Sequence, residues 1–315
     1  MALIAVGPIA HARSFLFRAG AFVALALLLV IASLISPTFA TPTNLLNVLR
    51  QMAITGVIGI GMTMVILTGG IDLSVGSIVA LVSVLVAGFQ NHGTVVVVFL
   101  GLLSATAVGA INGAGVVIGR LQPFIMTLGM MTVTRGLAFM YSGGKPMEIL
   151  LPGLDAVGSR AILSIPIPGL VFAALLVLGG WLLAAVPFGR YLYAIGSHEE
   201  AARLSGINVG MQLFAVYALC GLLSGVAGVL FAAQQSVGMA LAGTGYELNA
   251  IAAVVLGGTS LFGGEGNVWG TAAGAAIIAI LGNVMNLSGI NPFTQDFLKG
   301  IIIVLAVVLQ RSFSR

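Results

Sequence analysis

Side chains able to carry chemistry are sparse: eight acidic residues, three histidines and one cysteine among 315 positions. His11, His92 and His198 are scattered, without the close spacing of zinc ligands. Cys220 sits in an apolar run with no second cysteine to pair with, and reads as a small core residue. Asp72 stands apart. It follows a glycine pair in Thr68-Gly69-Gly70-Ile71-Asp72-Leu73-Ser74-Val75-Gly76 and is the only acidic residue between Met1 and Gln122. Glycine breaks a helix and aspartate caps the next one, so the expected role of Asp72 is an N-cap at the membrane edge. The alternative is an acid on a solute or ion path. No further run of acids or lysines accompanies it, which leaves a proton relay short of parts.

A second break, Leu256-Gly257-Gly258-Thr259-Ser260-Leu261, echoes the first, and Thr-Ala-x-Gly-Ala recurs at 106–110 and 271–275. Such echoes are expected of an internal duplication, common in transporters. The richest polar stretch runs from Gly189 to Asn208. There Ser197 and Glu200 have capping-box spacing, Glu199 and Arg203 are an i,i+4 ion pair, and Gly206 stands where a C′ glycine ends a helix. A short, fully signalled helix in a loop is expected to dock a partner. Polar side chains inside apolar runs, Gln51, Thr55, Thr63, Asn112, Gln234, Gln235 and Asn283, are candidates either for path lining or for interhelical hydrogen bonds. Nucleotide hydrolysis is not expected of this chain. A P-loop needs Gly-Lys-Ser/Thr, whereas Lys145 precedes Pro146 and Lys299 precedes Gly300.

The elements that hold these residues must live in lipid. Charged residues are 6% of the chain and mean hydropathy is +1.18, against roughly a quarter charged in soluble domains. Continuous apolar runs exclude a barrel, whose strands alternate, so the fold class is all-α and polytopic. About ten spans are expected, near 17–36, 45–67, 75–89, 95–117, 124–141, 169–186, 211–233, 248–261, 270–287 and 297–310, in one domain over 1–315. Arg13, Arg18, Arg120, Arg190, Arg203, Arg311 and Arg315 all fall on one side when the N-terminus is cytoplasmic. That places both termini and the loop 187–209 in the cytoplasm and the loop 142–168 outside. The net charge of +4 is explained by this asymmetry and not by nucleic-acid binding.

Three long segments, Gly61 to Gly76, Gly189 to Val209 and Gly243 to Ser260, with Pro123 to Met131 and Arg135-Gly136, resemble the membrane permease of ribose-type ABC importers, and the resemblance runs from the first span to the last. It implies the ABC importer permease fold in a bacterial inner membrane. It further implies pairing with a second permease subunit, identical or closely related, a cytoplasmic ATP-binding subunit that carries the ATP, and an external protein that delivers a monosaccharide, ribose foremost. This chain would bind no cofactor. The family's coupling segment maps onto Ser197 to Gly206; ribose permeases usually carry Asn where His198 stands. The helix breaks at Gly69, Gly70, Asp72, Gly257 and Gly258 would border the path, with Gln51, Thr63, Asn112 and Asn283 as polar lining. A branched-chain amino acid permease and a secondary transporter are the rival readings. The segments Thr68 to Gly76 and Gly243 to Leu248 favour the sugar branch.

Overall fold

The computed structural model describes the backbone of residues 8–313. Thirteen α-helices follow one another within that range: α1 (Pro8–Ile35), α2 (Pro42–Leu67), α3 (Val75–Gly88), α4 (Thr94–Val117), α5 (Pro123–Ser142), α6 (Pro152–Ser159), α7 (Ile167–Ala185), α8 (Pro187–Ser197), α9 (Glu199–Leu204), α10 (Val209–Gln235), α11 (Tyr246–Leu256), α12 (Val268–Leu287) and α13 (Pro292–Phe313). Proline in the first turn starts α2, α5, α6, α7 and α8, where its missing N–H costs nothing.

All ten expected spans are helical, but two fall short of a bilayer. With 14 and 11 residues, α3 and α11 rise about 21 and 16 Å, against a hydrocarbon core of about 30 Å. The eighth expected span ends at Leu256, not 261, because Gly257 and Gly258 stop it. Short helices can end inside a membrane only where protein covers their free backbone groups. Here α3 is buried along nearly its whole length.

At the centre lies α2, with a continuous buried run from Gly56 to Leu67, packed on α10, α11, α12 and α7. Small residues set the spacing of α4 and α10. A side chain on Gly109 would overlap the Tyr217 carbonyl, and one on Gly221 the Ala105 carbonyl. Such stripes let helices approach closely in lipid, where packing replaces the hydrophobic drive. The outer faces carry exposed Leu27, Phe99, Leu103, Val177 and Trp181, which suits lipid contact. α1 lies at the periphery against α12, where Ala32 and, in the connection after α1, Phe39 pack with Ala279 and Ile280.

The two ends of the bundle differ. At one, the connection 187–209 folds into α8 and α9, which we call the α9 end. At the other, residues 142–168 fold into α6 and three two-residue strands: β1 (Met147–Glu148) pairs with β4 (Val237–Gly238), and β2 (Ala161–Ile162) with β3 (Ile165–Pro166). This α6 end is pinned to α10, since a Cβ on Gly158 would meet the Ala233 carbonyl. Arg135 of α5 also donates to the carbonyls of Ala240 and Ala242 at 2.7 and 2.6 Å.

Candidate functional site

The two glycine breaks have the same backbone geometry. Gly69 (φ +80°) donates to Ile66 O and Gly70 to Val65 O; Gly258 (φ +85°) donates to Val255 O and Thr259 to Val254 O. Each is a left-handed helix stop of the kind glycine tolerates at no Cβ penalty. The sequence echo between the two segments thus corresponds to a repeated local structure.

The first break also meets the loop that follows the second. Gly264 N–H donates to Leu67 O at 2.9 Å, so the loop after α11 satisfies a carbonyl that the end of α2 leaves free. The end of α8 closes the junction: the Tyr193 hydroxyl donates to Gly266 O at 2.8 Å. A Cβ on Gly196 would overlap both Leu67 O and Gly264 N. Neither Tyr193 nor Gly196 draws notice in sequence; only the three-way meeting shows why position 196 has no side chain.

Beyond Gly196 the loop departs from the expected capping. Ser197 ends α8 and its hydroxyl donates backwards to Tyr193 O at 2.8 Å. The N-cap of α9 is His198, in extended backbone, with Nδ1 accepting the Ala201 N–H at 3.2 Å. The Ser197–Glu200 capping box does not form, because Ser197 is still helical and one residue too early. An Asn at this position would supply the same kind of acceptor. Glu199 and Arg203 pair at 2.7 Å, with Glu200 a more distant 3.9 Å from the same guanidinium. Gly206 takes φ +84° just beyond α9. Glu199 and Arg203 border a cavity of about 960 Å³, together with Thr68, Gly69, Gly70 and Arg120. Two of the coupling candidates, Glu199 and Arg203, and the first break therefore face one recess.

Asp72 is not the N-cap of α3. It is fully buried, and Ser74 occupies the N-cap position of α3. Asp72 Oδ1 accepts from Ser74 N–H at 2.9 Å and from Ser74 Oγ–H at 2.6 Å. Asn112 of α4 donates to Ser74 Oγ at 2.9 Å and to Asp72 at 3.4 Å. Thr127 of α5 donates to Ile71 O at 3.1 Å. The acid pins the bend, and α4 and α5 hold it from outside. Two residues of offset moved it from cap to bend, a distinction that capping statistics alone do not make.

The remaining polar candidates divide. Thr63 shares a 2.6 Å hydroxyl contact with Thr271 across α2 and α12. Asn283 exchanges two hydrogen bonds with Asn44, at 2.9 and 2.8 Å. With Asn112 bound to Ser74, these three tie helices together. Gln51, Thr55, Gln234 and Gln235 instead meet near the α6 end, in a cleft of about 360 Å³. Asn249, Asn286 and Gln295, which sequence reading passed over, join them.

Comparison with known proteins agrees with this architecture. Residues 44–307 match the family described as branched-chain amino acid transport system / permease component. The ribose import permease protein RbsC of Bacillus subtilis (strain 168) is 46% identical over 308 residues, 96% of each chain. That of Escherichia coli (strain K12) is 42% identical over 94% of each. The L-arabinose transport system permease protein AraH of the same strain is 35% identical over 93% of this chain and 90% of its own. No solved structure matches. Near-complete coverage at this identity, on a helical membrane fold of these parts, shows that the chain belongs to the ribose-type permease family of ABC importers.

Proposed function

We propose that the chain forms the translocation path for a monosaccharide, ribose foremost, in an ATP-driven importer, beside a second permease subunit. A cytoplasmic ATPase holds the ATP and an external binding protein delivers the sugar. In this reading the α9 end is cytoplasmic, as are both termini, and the α6 end faces outward. The clustering of Arg120 with Arg203 around one recess supports that orientation. Sugar in place of amino acid is supported by the ribose and arabinose assignments of the relatives.

The observation that carries the mechanism is the contact of Gly196 with both Leu67 and Gly264. The end of α8, packed backbone to backbone against the end of α2 and the loop between α11 and α12, cannot shift without moving them. Closure of the ATPases on α9 would thus be passed directly to α2 and to the α11–α12 connection. Close-packed interfaces switch between discrete arrangements rather than deforming smoothly, which suits alternation between inward- and outward-open states.

The test is uptake of radiolabelled D-ribose into proteoliposomes that hold the permease, its ATPase and binding protein, with and without ATP. ATP-dependent accumulation is expected. Uptake that needs neither ATP nor the ATPase would point to secondary transport and end this proposal.

A further inference from the structure

The amide cleft at the α6 end is only partly committed to hydrogen bonds between helices. Six side-chain amides line it: Gln51, Gln234, Gln235, Asn249, Asn286 and Gln295. They come from α2, α10, α11, α12 and α13, so the sequence never shows them together. Its volume of about 360 Å³ falls within the roughly 300–1,000 Å³ of small-molecule sites. Some amides are occupied, since Gln295 donates to Asn286 at 2.7 Å and to Ile290 O at 2.8 Å, and Gln234 to Arg50 O at 3.4 Å. Gln51 and Gln235 are exposed to the cleft.

The donor set selects a chemistry. A carboxamide offers two donors and one acceptor oxygen without charge, which complements a hydroxyl that both donates and accepts. Among the described residues the cleft has no lining carboxylate, and its one cation, Lys299, is engaged by Asp296 at 3.2 Å. A zwitterionic amino acid would find nothing to pair with its ammonium group. Tyr246 adds an aromatic ring. We infer that this cleft binds a neutral polyol, a monosaccharide in passage, through Gln51, Gln235 and Asn249.

The cleft is also placed to be emptied. Gln51 and Leu67 lie on α2, separated by about 24 Å along the helix at 1.5 Å per residue. Asn249 and the Gly257 break lie at opposite ends of α11. Both helices therefore carry an amide of the cleft, Gln51 about a third of the way along α2 and Asn249 near the start of α11, with a glycine break at the far end. Movement at the junction would reshape the cleft through rigid rods.

This inference rests on the proposed sugar import, and cysteine protection tests it separately. Cys220 is buried, so Gln51→Cys and Asn249→Cys each introduce one reachable thiol into the assembled transporter, and Ile162→Cys in the 142–168 loop serves as control. Labelling by a hydrophilic maleimide is followed with and without millimolar D-ribose or L-leucine. D-ribose is expected to slow labelling at 51 and 249 at least threefold and leave 162 unchanged. No protection by sugar, equal protection at 162, or protection by L-leucine in place of sugar overturns the inference. Unprotected cysteines in a transporter that still imports ribose would remove the cleft site and leave the import reading standing. Protection without ATP-driven uptake would do the reverse.

Discussion

The α9 end and the α6 end are built from different materials. At the α9 end three segments meet through backbone: Gly196 on Leu67 and Gly264, and Gly69 beside Gly263. At the α6 end five helices meet through side-chain amides around open space. A backbone junction transmits displacement because nothing in it can rotate out of the way, as expected of close-packed interiors. An amide-lined cleft can exchange one partner for another at small cost. The first arrangement suits force transfer and the second suits passing contact with a solute.

The largest expected effect follows from that difference. Gly196→Val places branched carbons where Leu67 O and Gly264 N already lie. Overpacking of this kind costs about 1–3 kcal/mol or more, and here both obstacles are backbone. ATP-driven uptake should fall below about a tenth of wild type, with reduced folded yield on size-exclusion chromatography. Gly129→Val is the matched control, because a Cβ there meets nothing within 4 Å. Equal behaviour of the two variants would show that the junction does not transmit.

Asp72 comes next. Asp72→Asn keeps a side-chain oxygen for Ser74 N–H and Oγ–H, so uptake should remain above about half of wild type. Asp72→Leu leaves those donors buried without a partner, at about 1–3 kcal/mol each, and should lower folded yield. Loss of uptake in Asp72→Asn at normal yield would make the charge itself a working part of the path. A smaller effect is expected for Thr63→Val. It removes the Thr271 contact at a cost of about 1 kcal/mol, read as a lower melting temperature with uptake unchanged.

Helix positions were legible because apolar runs, proline starts and glycine stops are local signals. The shared geometry of the two breaks was foreshadowed by Val65-Ile66-Leu67-Thr68-Gly69-Gly70 and Val254-Val255-Leu256-Gly257-Gly258. What was not legible depends on neighbours far away in the chain. Asp72 reads as a cap from its own segment, and only Asn112 and Thr127 reveal that it is enclosed. Thr63 and Gln51 look alike in sequence, yet one faces Thr271 and the other an open cleft. The capping box failed for a local reason: α8 runs on to Ser197, so the cap moved to His198.

That displacement defines the smallest and most discriminating prediction at the α9 end. With a capping box, Glu200 would be the residue to change, and Glu200→Lys would unravel α9. In the structure Glu200 is exposed and stands 3.9 Å from Arg203, a surface contact worth at most about 1 kcal/mol. His198 holds the cap instead, through Nδ1 and the Ala201 N–H. His198→Asn should therefore leave uptake within about twofold of wild type, since Asn caps by the same acceptor. His198→Ala removes the acceptor at a cost of about 1 kcal/mol, spread over a helix of only six residues, and should weaken capture of the ATPase. Glu200→Lys should leave α9 folded, so any loss of ATPase capture in that variant reports charge at the docking surface. Measuring capture and uptake in all three variants separates helix order from surface charge. If His198→Ala matches wild type in both, the order of α9 is immaterial to coupling, and the contact of Gly196 with Leu67 and Gly264 must carry it unaided.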